Sequence, residues 1–250
     1  MHPLAGLHVL NTRPVGQAGA LTAALREAGA TVSELPLIGI ELREPAAPEE
    51  RLLLDLDRYA GVIFVSANAA RRGLDVVAGC WPQWPYPLPV YAVGKGTATV
   101  LEDAGLTVTL PERADSDGLL ALPALGAVSG QRFLVFRGEG GRELLRETLQ
   151  ARGATVDVLE LYRRVLPAAA AAQWQAMAVS PQVVILTSPD ALQHWRQVAG
   201  ADALRPLWLV VSPRMHAEAV AAGARVVEAA GADTGSLLVA LQQMREQLAI

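Results

Sequence analysis

The chain of 250 residues has one cysteine and four histidines, and only 5% of its residues are aromatic. A single cysteine, Cys80, excludes an intrachain disulfide and any metal site built on cysteine pairs. His2, His8, His194 and His216 are scattered, and none stands at ligand spacing from another histidine or a carboxylate, so no metal is expected. His194 and His216 fall in helical patterns and read as partly exposed helix residues. Lysine is nearly absent: Lys95 is the only one among 21 basic residues. No run of Lys and Arg supplies a phosphate footprint, and the formal net charge is −4, so no nucleic-acid partner is expected. No window of about 18 uncharged apolar residues occurs, and the opening Met1-His2-Pro3-Leu4 has no basic stretch followed by an apolar one. The expectation is a cytoplasmic protein with no membrane partner.

Several chemical signatures are missing as well. There is no Gly-x-Ser-x-Gly elbow for a hydrolase nucleophile. Val93-Gly94-Lys95-Gly96-Thr97 lacks the spacing of a phosphate loop, and Arg137-Gly138-Glu139-Gly140-Gly141 lacks that of a dinucleotide fingerprint. No cofactor is expected.

What is present is a duplication. With Gly29 set over Gly153, a shift of 153 − 29 = 124, Leu7 to Leu42 lies on Gln131 to Leu166 without a gap. Arg13 meets Arg137, Leu21 meets Leu145, and Ala30-Thr31-Val32 meets Ala154-Thr155-Val156. Further on, Val62 to Ser66 falls on Val184 to Ser188, Val93-Gly94 on Val211-Ser212, Gly105 on Gly223, and Ala114-Asp115-Ser116 on Ala232-Asp233-Thr234. A repeat of about half the chain is a duplicated half-protein rather than a solenoid unit.

Each half reads as alternating strands and helices. Leu7 to Asn11 is an apolar strand, a helix follows with Leu21, Leu25 and Ala28 on one face, Gly29 ends it, and a strand resumes at Thr31 to Leu35. Arg132 to Phe136, Glu143 to Ala151, Gly153 and Thr155 to Leu159 repeat the pattern. Continuous apolar strands at Val62 to Val65, Val90 to Val93, Val183 to Thr187 and Leu207 to Val211 belong to parallel sheets covered on both faces. The tract Cys80 to Pro87 reads as a surface connection. The fold class is therefore α/β, with two similar doubly wound parallel-sheet domains of flavodoxin-like kind.

In such sheets ligands bind beyond the carboxyl ends of the strands. Those ends read Thr12-Arg13-Pro14, Ser66-Ala67-Asn68, Gly94-Lys95-Gly96-Thr97, Arg137-Gly138-Glu139-Gly140, Thr187-Ser188-Pro189-Asp190 and Ser212-Pro213-Arg214. Each delivers a Ser, Thr, Gly or Arg to the start of a helix, whose free N–H groups and dipole suit an anion. Taken singly, each reads first as an ordinary helix cap; six together point to edges rich in donors. Asp115 and Asp233 precede Ser116 and Thr234 and read as helix starts.

In their order and spacing these residues resemble the uroporphyrinogen-III synthase family. The resemblance runs through Thr12-Arg13-Pro14, Pro36-Leu37-Ile38, Val62 to Asn68, Tyr91-Ala92-Val93-Gly94 with Thr97, Ser116-Asp117-Gly118-Leu119, Arg137-Gly138, Leu161-Tyr162-Arg163, Leu186-Thr187-Ser188 and Ser212-Pro213. It implies a cofactor-free lyase that cyclises the linear tetrapyrrole hydroxymethylbilane to uroporphyrinogen III, with inversion of ring D and loss of water, in haem biosynthesis. It also implies that the chain crosses between domains twice: 1–35 with 167–250 form one domain and 44–159 the other, joined by a two-stranded β linker of 36–43 and 160–166. A family tyrosine matches Tyr162, which is expected as the acid near the leaving hydroxyl, or else as a packed connector residue. A family threonine matches Thr97; its repeat partner is Met215, and Arg214 beside it is expected to take over anion binding. Thr12, Arg13, Ser66, Asn68, Gly94, Ser116, Arg137, Gly138, Thr187, Ser188, Ser212 and Arg214 are expected to contact substrate, Arg13 and Arg137 alternatively bracing their own turns. A monomer receiving its substrate from hydroxymethylbilane synthase is expected. A non-catalytic two-lobed anion-binding or regulatory protein is the other reading.

Overall fold

The structure, a computed structural model, describes residues 2–141 and 143–248. The chain divides into two compact units, Met1–Gly39 with Val165–Ile250, and Ile40–Arg164. The first unit opens with β1 (His8–Asn11), α1 (Val15–Glu27) and β2 (Thr31–Glu34). The chain then passes into β3 (Gly39–Leu42), α2 (Ala47–Leu54), β4 (Gly61–Phe64), α3 (Ala67–Ala78), β5 (Val90–Ala92), α4 (Lys95–Asp103), β6 (Val108–Thr109), α5 (Ser116–Leu120), β7 (Arg132–Gly138), α6 (Leu144–Ala151) and β8 (Thr155–Val165). It closes in the first unit with α7 (Ala170–Gln175), β9 (Val183–Ile185), α8 (Pro189–Ala199), β10 (Leu207–Val210), α9 (Pro213–Ala221), β11 (Val226–Glu228) and α10 (Thr234–Leu248).

The five-stranded sheet of the first unit has the order β2-β1-β9-β10-β11, with parallel pairing throughout. The second sheet has the order β3-β8-β7-β4-β5-β6. Numbered by repeat position, both read 2-1-3-4-5, with β3 added outside β8. In that order the strand sequence reverses between positions 1 and 3, and this switch point is where such sheets take ligands. It falls between β1 and β9 in the first unit and between β7 and β4 in the second.

Alternation along the strands explains why each unit has two cores. In the first unit Val9, Val183, Ile185, Leu207 and Leu209 pack with Leu21 and Leu25 of α1 and Leu241 of α10 on one face. Leu10, Val184, Trp208 and Val210 pack with Trp195 and Met215 on the other. The second unit splits in the same way, Leu134, Phe136, Val62 and Phe64 on one face and Phe133, Val135 and Ile63 on the other. Each fully buried Leu, Ile or Phe contributes roughly 1.5–3 kcal/mol relative to exposure, so strands buried on both faces carry most of the driving force. Under α3, Phe64 and Phe136 stack with ring centroids 4.5 Å apart. Gly73 lets that helix approach, since a Cβ there would lie 2.6 Å from Phe64.

Gly29 and Gly153, the anchors of the repeat, both adopt positive φ, 93° and 87°, where α1 and α6 end. Two features differ from the sequence reading. Cys80 is exposed, but the connection after it is no mere surface loop: Trp81 donates its indole N–H to the Leu53 carbonyl at 2.7 Å, and Trp81 and Trp84 pack on the core. The strand read over Thr155 to Leu159 and the β linker read over 160–166 are one strand, β8, that runs to Val165. The Arg43 and Glu139 amides take the carbonyls of Leu161 and Tyr162, which sustains it.

Candidate functional site

At the carboxyl edge of the second unit, β7 and β8 pair in register up to Arg137 and Glu160; the next pair is Gly138 with Tyr162. Leu161 is thus an extra residue, a bulge of the kind that re-aims a side chain. The re-aimed group is the Tyr162 ring, which lies over Gly138: a Cβ at Gly138 would sit 2.5 Å from the ring carbon bearing the hydroxyl. Tyr162 is only 2% exposed, and its hydroxyl is 2.9 Å from Ser66 Oγ. Ser66 is the N-cap of α3 and also accepts the Ala69 N–H at 3.1 Å. The bulge, Gly138 and the cap together bring Tyr162 and Ser66, far apart in sequence, into one hydroxyl pair beside the switch point.

Asn68 lies in the first turn of α3, and Gly94 caps α4 with extended backbone and no side-chain bond. Thr97 is in the first turn of α4, buried at 6% exposure, its N–H donating to the Gly94 carbonyl. Ser116 opens the short α5, which Asp115 caps by accepting the Gly118 N–H at 2.7 Å. The Arg113 guanidinium and that amide hold the Asp115 carboxyl below the usual range, the amide first.

Arg137 is a brace. It is buried, donates to Glu160 Oε1 through Nε and Nη2 at 3.2 and 3.0 Å, and meets Glu143 Oε1 at 2.7 Å. Its hydrogen bond keeps the Glu143 carboxyl below the ordinary glutamate range. Arg137, Arg146 and Arg164 line a cavity of about 170 Å³ with Ser116, Val135 and Val158. No helix follows Arg137-Gly138 directly, because α6 starts only at Leu144; this differs from the sequence reading of that turn.

The first unit has the corresponding turns. Ser188 and Ser212 cap α8 and α9 by accepting the N–H groups of Ala191 and Met215 at 3.1 and 3.4 Å. Thr187 precedes the first cap and Arg214, exposed, follows the second. Met215 is buried among the core residues of its unit, in the same place on α9 that Thr97 takes on α4. Thr12 does not open a helix: it is 1% exposed and donates its hydroxyl to the Ile185 carbonyl at 2.5 Å. The cap of α1 is Pro14, with no side-chain bond. Arg13 donates to the Ala232 carbonyl, and burial lowers its pKa despite nearby Asp233.

The helices α3, α4, α8 and α9, each of nine or more residues, begin at these two edges, so both edges offer N–H groups and positive dipole ends to an anion. Among the described residues no three His, Cys, Asp or Glu groups gather as metal ligands, and no helix is long and apolar enough to cross a membrane. Sequence reasoning passed over Glu143, Glu160, Arg146 and Arg164. The available signal lay in the repeat, where Arg146 replaces Thr22 and Arg164 replaces Ile40.

A duplicated doubly wound α/β protein with a donor-rich edge on each sheet is the class that this fold and these turns define. The comparisons narrow it. The family described as "Uroporphyrinogen-III synthase HemD" matches residues 19–239. The chain is 35% identical over 264 residues to the uroporphyrinogen-III synthase of Salmonella typhimurium, covering 94% of this chain and 100% of the relative. It is 34% identical over 259 residues to that of Escherichia coli, with the same coverage. In fold it is similar to a mutant uroporphyrinogen III synthase of Thermus thermophilus, at TM-score 0.60 and 17% identity, covering 97% of this chain and 100% of that one. The uroporphyrinogen-III synthetase of Helicobacter pylori gives 0.59 and 14%, covering 97% and 99%. The chain belongs to the uroporphyrinogen-III synthase family.

Proposed function

We propose that the protein is a uroporphyrinogen-III synthase, a lyase that closes hydroxymethylbilane to uroporphyrinogen III with inversion of ring D and loss of water. The observation that carries this reading is likeness along the whole length of enzymes so named, 100% of the Salmonella typhimurium relative included. A non-catalytic anion-binding or regulatory protein of the same fold lacks such support.

The substrate carries eight carboxylates, and the N–H groups at Ser66-Ala67-Asn68, Gly94, Thr187-Ser188, Ser212 and Arg214 are suited to bind some of them. The pyrrole nitrogen pushes out the terminal hydroxyl, which takes a proton and leaves as water, giving an azafulvene. The substituted carbon of ring D then attacks the new electrophilic carbon, and the spiro intermediate rearranges. Modest acid assistance suffices for the first step; holding the bilane so that the substituted carbon attacks is the larger task, and positioning of this kind supplies several kcal/mol.

Tyr162 is buried and its hydroxyl is bonded to Ser66 Oγ; we infer that Tyr162 donates to Ser66, which passes its own proton to the leaving hydroxyl. Thr97 is buried in the first turn of α4, its own N–H taken by the Gly94 carbonyl, beside the N–H groups of Gly94 to Gly96. Thr12 and Arg137 act behind the edge: one ties β1 to β9, the other ties β7 to β8. We propose further that the protein works as a cytoplasmic monomer and receives its unstable substrate from hydroxymethylbilane synthase.

The experiment is genetic. Expressed in a bacterium whose own synthase is deleted, the chain is predicted to restore haem formation; continued accumulation of isomer I porphyrin in those cells contradicts the reading.

A further inference from the structure

The two carboxyl edges are equivalent in the repeat, and one difference between them lies in the space behind the first helix of each. In the first unit the space between β1, α1 and β2 is filled by a chain of polar side chains: Asn11 donates to Thr22 at 3.0 Å and to the Ala18 carbonyl at 3.2 Å, and Thr22 donates to Glu34 at 2.5 Å. The repeat places Val135, Arg146 and Val158 at these three positions in the second unit. All three line the cavity of about 170 Å³. What the first unit closes with a self-satisfied network, the second leaves open and lines with guanidinium groups.

The charges are unequal there. Arg137 is tied to Glu160 and Glu143, and Arg146 pairs through Nε with the other Glu143 oxygen at 2.7 Å. Glu160 is also 3.7 Å from Arg43. Arg164, on the same wall and exposed, has no acidic partner among the described residues. A guanidinium fork without a carboxylate, facing a void bounded by the apolar Val65, Val135, Val158 and Leu145 and the hydroxyl-bearing Ser116, is complementary to one carboxylate on a short alkyl arm.

We propose that this cavity is the subsite for one side-chain carboxylate of the tetrapyrrole, with Arg164 as its main ligand and Ser116 as a second donor. The inference rests on the synthase reading. Because the equivalent space of the first unit is filled, one arm of a nearly repetitive substrate is told from the others. That supplies the asymmetry needed to present ring D by its substituted carbon.

The test is steady-state kinetics of wild type, Arg164→Gln, Arg164→Lys and Arg51→Gln with hydroxymethylbilane, isomers being separated by chromatography. Losing a contact made equally to substrate and transition state raises KM and leaves kcat alone. Arg164→Gln is expected to raise KM roughly tenfold with kcat within about twofold of wild type. Arg164→Lys should recover part of that loss, and Arg51→Gln, a charge removed from the surface of α2, should leave KM within about twofold. Arg164 is exposed, so wild-type melting is expected for its variants. If wild type makes isomer III and Arg164→Gln leaves KM unchanged, or lowers only kcat, the subsite is wrong and the synthase reading stands. If wild type makes no isomer III, the synthase reading itself fails.

Discussion

Gly138 and Tyr162 face one another across a bulge, with no room for a methyl group between them. The φ of Gly138 is not in the left-handed region, so its constraint is contact rather than backbone freedom. Gly138→Ala would push the buried ring away from Ser66. Overpacking of this kind costs about 1–3 kcal/mol, and turnover should fall further than in Tyr162→Phe, because the ring itself is displaced. Urea unfolding with assay of the same preparations checks both; wild-type stability for Gly138→Ala would show that the ring yields freely.

Tyr162→Phe keeps the packing and deletes one hydroxyl. A net loss of about 0.5–1.5 kcal/mol in stability is expected, with turnover slowed but not abolished, since positioning does most of the work. Ser66→Ala should lower turnover too, and the double variant should be little worse than either alone, as for two members of one unit. Additive losses would separate the two hydroxyls.

The caps allow a comparison between the edges. Ser66, Ser188 and Ser212 each accept an N–H at the start of a helix, and each change to alanine should cost about 1 kcal/mol of stability. Only Ser66 also holds Tyr162, so Ser66→Ala should show the largest fall in kcat of the three.

A stability change remote from chemistry serves as a contrast. Gly73→Ala puts a methyl group 2.6 Å from Phe64 and 3.2 Å from Phe136. It should destabilise by about 1–3 kcal/mol while the surviving folded enzyme makes isomer III with unchanged fidelity; a shift in isomer ratio would link the Phe64–Phe136 stack to substrate placement.

The Arg137–Glu143 pair sets a pH dependence. Because Arg137 holds the Glu143 carboxyl below its free value, the folded state binds that proton more weakly than the unfolded state. The pair's stabilisation is therefore complete above the ordinary glutamate range and is lost as the pH falls through the depressed folded value. Urea midpoints of wild type and Glu143→Gln should differ near neutrality and converge in acid, once the pH has fallen through the depressed folded value. A gap that widens in acid would give the pair the opposite sign.

The order of elements was legible because its signals are local: apolar runs for strands buried on both faces, and Gly29 and Gly153 at the ends of α1 and α6. Ser66, Ser188, Ser212 and Asp115 were legible for the same reason, a cap residue immediately before its helix. Less could be read where a role depends on a distant partner. Nothing near Thr12 tells that its hydroxyl turns inward to Ile185, and nothing near Leu161 tells of the bulge that aims Tyr162 at Ser66. Arg137 could be read as ligand or brace; the partners it pairs with, Glu143 and Glu160, lie one six residues on and the other on the neighbouring strand.

The most direct test is the isomer composition of the product. Freshly made hydroxymethylbilane is incubated with the purified chain under anoxic conditions, oxidised, and separated by chromatography against a sample without protein. The account predicts isomer III, formed faster than the spontaneous closure that gives isomer I. Isomer I alone, appearing at the spontaneous rate, would contradict it.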